Sequence, residues 1–124
     1  MTKPYEVLKV GGNEIHLKIT TAHAVKLEEE LGTDILSGLD KLAEIKTLAK
    51  YYYAAASSQN DGINCIDDIY SLFDDYITEG GTLEKLQELV MNILLTSGIL
   101  SQEAYDTSKK AREKQLAALQ KLLS

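Results

Sequence analysis

The sequence has no tryptophan and, among 124 residues, one phenylalanine, one proline and one cysteine. The lone cysteine, Cys65, excludes an internal disulfide; the fold must be held by its core, and a reducing compartment is expected. No run approaches the roughly 18 consecutive apolar residues of a membrane span. The opening MTKPYEVLKVGG lacks the continuous apolar stretch of a secretory leader. A net charge of -6 argues against general binding to nucleic acid. What is present is ordinary: apolar residues at 44% and charged residues at 26% exclude global disorder and suit a soluble globule. The length is that of one domain able to bury a core. Composition thus points to one soluble, cytoplasmic domain and leaves its function open.

Chemistry-bearing patterns are also scarce. His16 and His23 have no second histidine or cysteine at ligand spacing, so no zinc site is expected. Gly11-Gly12 and Gly80-Gly81 do not match a phosphate-binding loop. Placing Gly62 at the sixth position of a calcium loop puts Ser57 first and Asp68 last, where an aspartate and a bidentate glutamate are needed. Asp67, Asp68, Asp74 and Asp75 share the polar arc of one helix, where water screens them; a catalytic carboxylate pair needs one member desolvated. Cys65 reads as a small apolar residue. No catalytic residue, metal or cofactor is expected.

Charge is distributed unevenly along the chain. Residues 1–60 carry net -1, residues 61–105 net -8 and residues 106–124 net +3. The acidic middle and the basic tail are two solvated helices or surfaces that attract each other, within one chain or between copies.

Patterning predicts an α+β domain, mostly α-helical, with an N-terminal β-hairpin over residues 5–19. Ile15, Leu17 and Ile19 alternate with polar residues, and Gly11-Gly12 supplies a tight turn; Pro4 stands before the first strand. Thr20 or Thr21 caps a helix over residues 22–31, stopped at Gly32. Thr33 or Asp34 caps a short one running to Leu39. Leu42, Ile45, Leu48, Ala49, Tyr52 and Ala56 give a helix over residues 41–57 with one buried face, followed by a loop at residues 57–62. Asn64 caps a strongly amphipathic helix over residues 65–79, with Ile66, Ile69, Tyr70, Leu72, Phe73, Tyr76 and Ile77 on its apolar arc. Thr82 opens a helix over residues 83–97, ended by Gly98. Residues 101–124 are helix-prone but polar from Asp106 to Gln115; such a helix is not docked along its length. Two units follow: a domain of residues 1–100 and a basic helical extension of residues 101–124.

Several positions stand out as partner-binding candidates. Tyr51 and Tyr53 flank the core stripe of their helix by about 100° on either side, so at least one should be partly exposed, and exposed tyrosine favours interfaces. Met91 and Leu95 lie off the main stripe of theirs. In the tail, Lys109, Lys110, Arg112 and Lys114 are suited to steer it onto the acidic arc at Asp67–Asp75. Leu116, Leu119 and Leu123 are suited to hold it there, with Leu122 beside them. Spare apolar surface and divided charge together predict self-association into a homo-oligomer.

The segments LKITTAHAVKLEEELGTDILSGL and YSLFDDYITEGGTLEKLQELVMNILLTSGIL resemble the tail assembly chaperones of long-tailed phages and prophages of Gram-positive bacteria. The likeness extends from Leu8 to Leu100 and lies in the hairpin, the Thr-Thr helix start, the Leu-Gly stop and the run from Asp74 to Leu83. It implies a non-enzymatic protein of the bacterial host cytoplasm, absent from the mature virion. Such a protein binds the tape-measure protein, keeps its long helices soluble and helps recruit the major tail tube protein. No nucleic acid or membrane is implied. The competing class is a small mobile-element regulator or adaptor that binds a host protein; a major tail gene upstream and a long helical reading frame downstream would separate the two.

Overall fold

The computed structural model describes residues 5–123, without the side chains of Ser108, Lys109, Arg112, Gln115, Leu116 and Leu123; Pro4 lies outside the described residues. Strands β1 (Glu6–Val10) and β2 (Asn13–Leu17) form an antiparallel hairpin in which Leu8 faces Ile15 and Val10 faces Asn13. Both turn glycines have positive φ, 60° at Gly11 and 79° at Gly12, as a two-residue turn that follows the strand twist requires. The hairpin predicted from alternation is present, and its inward residues Leu8, Val10 and Leu17 are buried.

Among the described residues six α-helices follow: α1 (Thr21–Leu31), α2 (Ile35–Gly38), α3 (Ile45–Ala56), α4 (Ile66–Thr78), α5 (Leu83–Thr96) and α6 (Gln102–Leu123). The chain is therefore α+β, mostly helical, with the N-terminal hairpin as its sheet. Side-chain oxygens start most of the helices. Thr20 accepts from His23 N–H, Asp34 from Ser37 N–H, Thr82 from Lys85 N–H and Ser101 from Ala104 N–H, each taking up a donor that has no partner inside its helix. Gly32, at φ 72°, closes α1 in the left-handed conformation.

Two boundaries depart from the sequence expectation. The helix expected over residues 41–57 begins only at Ile45, because Leu39–Lys41 continue α2 as a 3-10 turn and Glu44, with extended backbone, interrupts the helix before α3. Leu42 is buried from that turn, not from the helix, and Ile45 is half exposed, at 50%. Helix α4 is entered through Cys65 instead of Asn64. Asp68 reaches back to accept the N–H of both Asn64 (2.8 Å) and Cys65 (3.2 Å). Those bonds to its ionised form hold its carboxyl below the usual range. Asp68 thus caps the helix from the solvated acidic face expected of it, and Cys65 is exposed instead of packing as an apolar residue.

The core is organised around α3, which touches α1, α4, α5 and β2. Strand β1 packs on α4 and α5. Lys18 N–H bonds the Ala55 carbonyl at the end of α3, and Ile19 N–H bonds Ser97 Oγ after α5. Asn60 completes the junction. Its side chain accepts from His16 N–H and donates to the carbonyls of His16 and Ala56, so one amide pairs the outer edge of β2 with the end of α3. An edge strand satisfied in this way is no template for further pairing.

Candidate functional site

The three consecutive tyrosines of α3 point in three directions, and each ties the helix to a different segment. Tyr51 Oη donates to the Ile35 carbonyl in α2, Tyr52 Oη to the Leu86 carbonyl in α5 (2.7 Å) and Tyr53 Oη to the Asn64 carbonyl before α4 (3.0 Å). The Tyr52 ring also meets Phe73 of α4 edge-on, with centroids 5.2 Å apart. Burial pushes the hydroxyls of Tyr51 and Tyr52 well above the ordinary phenol range, because a phenolate there would lose its hydration. Tyr51, 1% exposed, is a core residue and not the surface residue proposed from the sequence. Tyr53 is half-buried, so the expectation that one of the pair reaches the surface holds for it alone. Met91 is likewise buried in the core; Leu95 is half-buried.

The apolar surface lies elsewhere. Between α1, α3 and α4 runs an open groove of about 700 Å³. Leu27, Tyr53, Ala54, Ile66 and Tyr70 provide its apolar lining, Lys26, Lys46, Lys50, Glu29 and Glu30 its charged rim, and Cys65 stands at one side. Lys50 is held there by donating to the Glu30 carbonyl at the end of α1 (2.9 Å), where an ammonium suits the negative helix terminus. On α4 the lining residues Ile66 and Tyr70 sit at the margin of the buried arc, and Ile77, further along the same stripe and outside the lining, is 44% exposed. Asp67 and Asp74 are exposed and flank Tyr70 at three and four residues, the spacing of surface neighbours. The periodicity of α4 placed Ile66, Tyr70 and Ile77 on the apolar arc; that the arc is wider than its buried part was the readable signal of this groove. Leu27 and Ala54 carried no such signal, because α1 and α3 are each amphipathic in their own right.

A second apolar surface is the far end of α6. The helix meets α5 near its start, where Tyr105 Oη donates to Asn92 Oδ1 (2.8 Å). Beyond Tyr105 every described side chain of α6 is exposed, including Leu119 at 56% and Leu122 at 84%. Leu119, expected to dock, is thus not docked on its own chain. Lys110 and Lys114 are exposed as well; the side chains of Lys109, Arg112, Leu116 and Leu123, also proposed from the sequence, lie outside the described residues. Among the described residues the structure brings together neither the tyrosine and tail candidates nor the tail and the acidic helix.

Among the described residues no group of three or more His, Cys, Asp or Glu side chains gathers as a metal set, and no helix is long and apolar enough to cross a membrane. The surface is suited chemically to apolar and ionic contacts with another chain: a groove with apolar and charged lining, and a basic helix with exposed leucines at 119 and 122. No protein-family model, curated protein or solved structure matches the chain.

Proposed function

We propose that this protein is a phage tail assembly chaperone that binds the tape-measure protein, keeps it soluble and promotes tail tube polymerisation. The observation that carries the reading is the groove between α1, α3 and α4. An apolar floor with charged rims receives an amphipathic helix through its apolar stripe. A tape-measure protein is a long array of such helices, and each exposed stripe aggregates unless covered. The resemblance of residues 8–100 to this family supports the same reading, as does the net charge of -6, which keeps a complex soluble. Acting this way, the protein works in the host cytoplasm, releases its client as tube subunits assemble and stays out of the finished particle.

The test is co-expression with the tape-measure-type protein encoded beside it. The client is expected to shift from the insoluble to the soluble fraction and to co-purify. Tyr70→Asp, which places a charge on the groove wall, should abolish the shift while the variant itself stays folded by circular dichroism. A client whose solubility is unaffected, with no complex recovered, overturns the reading.

A further inference from the structure

We infer that the groove between α1, α3 and α4 selects an amphipathic helix whose apolar stripe is edged by carboxylates. The helical form of the occupant rests on the function proposed above; the charge of its edges rests on the groove alone.

The rim decides that charge. Lys26 of α1 and Lys46 and Lys50 of α3 line the groove together with Glu29 and Glu30 of α1, which leaves the rim cationic in a chain of net -6. The two glutamates do not neutralise the lysines. Among the described residues Lys26 and Lys46 form no hydrogen bond or ion pair, and Lys50 donates only to a backbone oxygen, the Glu30 carbonyl at 2.9 Å. An ammonium carries three donors and no acceptor. An occupant that covers these groups displaces their water and must return acceptors, which carboxylates supply best. No ion pair has to break first, so nothing offsets the gain.

The spacing gives the occupant its periodicity. Lys46 and Lys50 stand about 6 Å apart along the axis of α3 and on one side of it, so carboxylates three or four residues apart on a neighbouring helix meet both. Leu27, Tyr53, Ala54, Ile66 and Tyr70 receive the apolar stripe. Lys46 and Lys50 also line an adjoining polar cavity of about 510 Å³, with Lys41, Asp40 and Glu44. The apolar floor therefore ends at this lysine pair, and the acidic edge of the occupant belongs there.

A lysine-edged helix meets the opposite reception, because its ammonium groups come against three of their own kind, and like charges brought together suppress wrong partners. Residues 106–124 of this chain, at net +3, are of that kind. The groove thus discriminates an acidic-edged client from the protein's own basic tail.

Two helical peptides test this. They share one leucine stripe and carry either glutamate or lysine along both of its sides, and each is titrated against the full-length chain by fluorescence anisotropy. The glutamate-edged peptide should bind at least about tenfold more tightly, the effect expected of three exposed pairs gained against three repulsions. Lys26→Glu with Lys46→Glu should abolish or reverse the preference; both side chains are exposed and make no bond in the free chain, so the fold is kept. Tyr70→Asp should weaken both peptides, which locates the binding in the groove. Equal affinities, a preference for lysine edges, a preference unchanged by the lysine substitutions, binding insensitive to Tyr70→Asp, or no binding of either peptide overturns the proposal. A glutamate preference together with an unaffected tape-measure-type client keeps the selectivity of the groove and removes the chaperone function; a solubilised client with no preference between the peptides does the reverse.

Discussion

Helices α3 and α6 are the two extremes of this molecule. Helix α3 has twelve residues, eight of them buried, and contacts α1, α4, α5 and β2. Helix α6 has twenty-two residues, and past Tyr105 its described side chains are all exposed. Length does not decide which helix holds the fold. What decides it is how many neighbours close on it: α3 carries alanine and tyrosine on nearly every face, small residues admitting close approach and large ones reaching across, whereas α6 carries lysine, glutamate and glutamine for three turns. A helix surrounded on all sides is stabilised by packing; one in water depends on propensity and on a partner.

Tyr52→Ala deletes a fully buried ring and the bond to Leu86, and should destabilise by about 3–5 kcal/mol, the usual cost of a large-to-alanine change in a core; urea denaturation measures it. Gly38→Ala comes next. A Cβ there would fall 2.6 Å from Tyr51 Oη and 3.0 Å from Leu31 Cδ1, and Tyr51 is too well buried to yield, so overpacking of about 1–3 kcal/mol is expected. Tyr51→Phe keeps the ring but removes its bond to the Ile35 carbonyl, at a cost of about 0.5–1.5 kcal/mol; equal stability of this variant would mean that the bond contributes nothing net.

The raised hydroxyls of Tyr51 and Tyr52 make the hub sensitive to alkali. Because their folded-state values lie above the unfolded value near 10, the unfolded chain releases these protons first. Their contribution is fully present below pH about 10 and is lost as pH rises above it. The parent should therefore lose stability above that pH more steeply than a Tyr51→Phe, Tyr52→Phe double variant, and denaturation midpoints at several alkaline pH values test this. At the other extreme, removing residues 108–124 from α6 should change monomer stability by no more than about 0.5 kcal/mol, as expected of exposed positions. A large loss there would erase the contrast between the two helices.

Much of this organisation was legible in the chain. The alternation around Gly11-Gly12, the threonine and aspartate caps and the glycine stops located the hairpin and the helices, since each is a local backbone requirement met by neighbouring residues. The polar stretch from Asp106 to Gln115 likewise marked α6 as undocked. The site was less legible. Tyr51, Tyr53 and Met91 were chosen because they leave the main stripe of their own helix, which identifies a buried face only for a helix packed on one side. Helix α3 is packed on several, so Tyr51 finds α2 where solvent was expected, and Met91 of α5 is covered too. Ile66, Tyr70 and Ile77 were visible as an apolar arc, but their surplus over what α4 buries depends on how far α1 and α3 extend over it.

By itself, the sequence determined the element types, the order of hairpin and helices, the absence of disulfide support and the separation of acidic and basic halves. These follow from periodicity, capping and composition, which act within a few residues. Only the tertiary structure decided that three adjacent tyrosines bond three different segments, that Asn60 pairs the edge of β2 with α3, and that a groove stays open beside α4 while two leucines stay bare on α6. Those outcomes depend on which surfaces meet, and a surface is buried or left open by residues distant in sequence, whose approach no local pattern encodes.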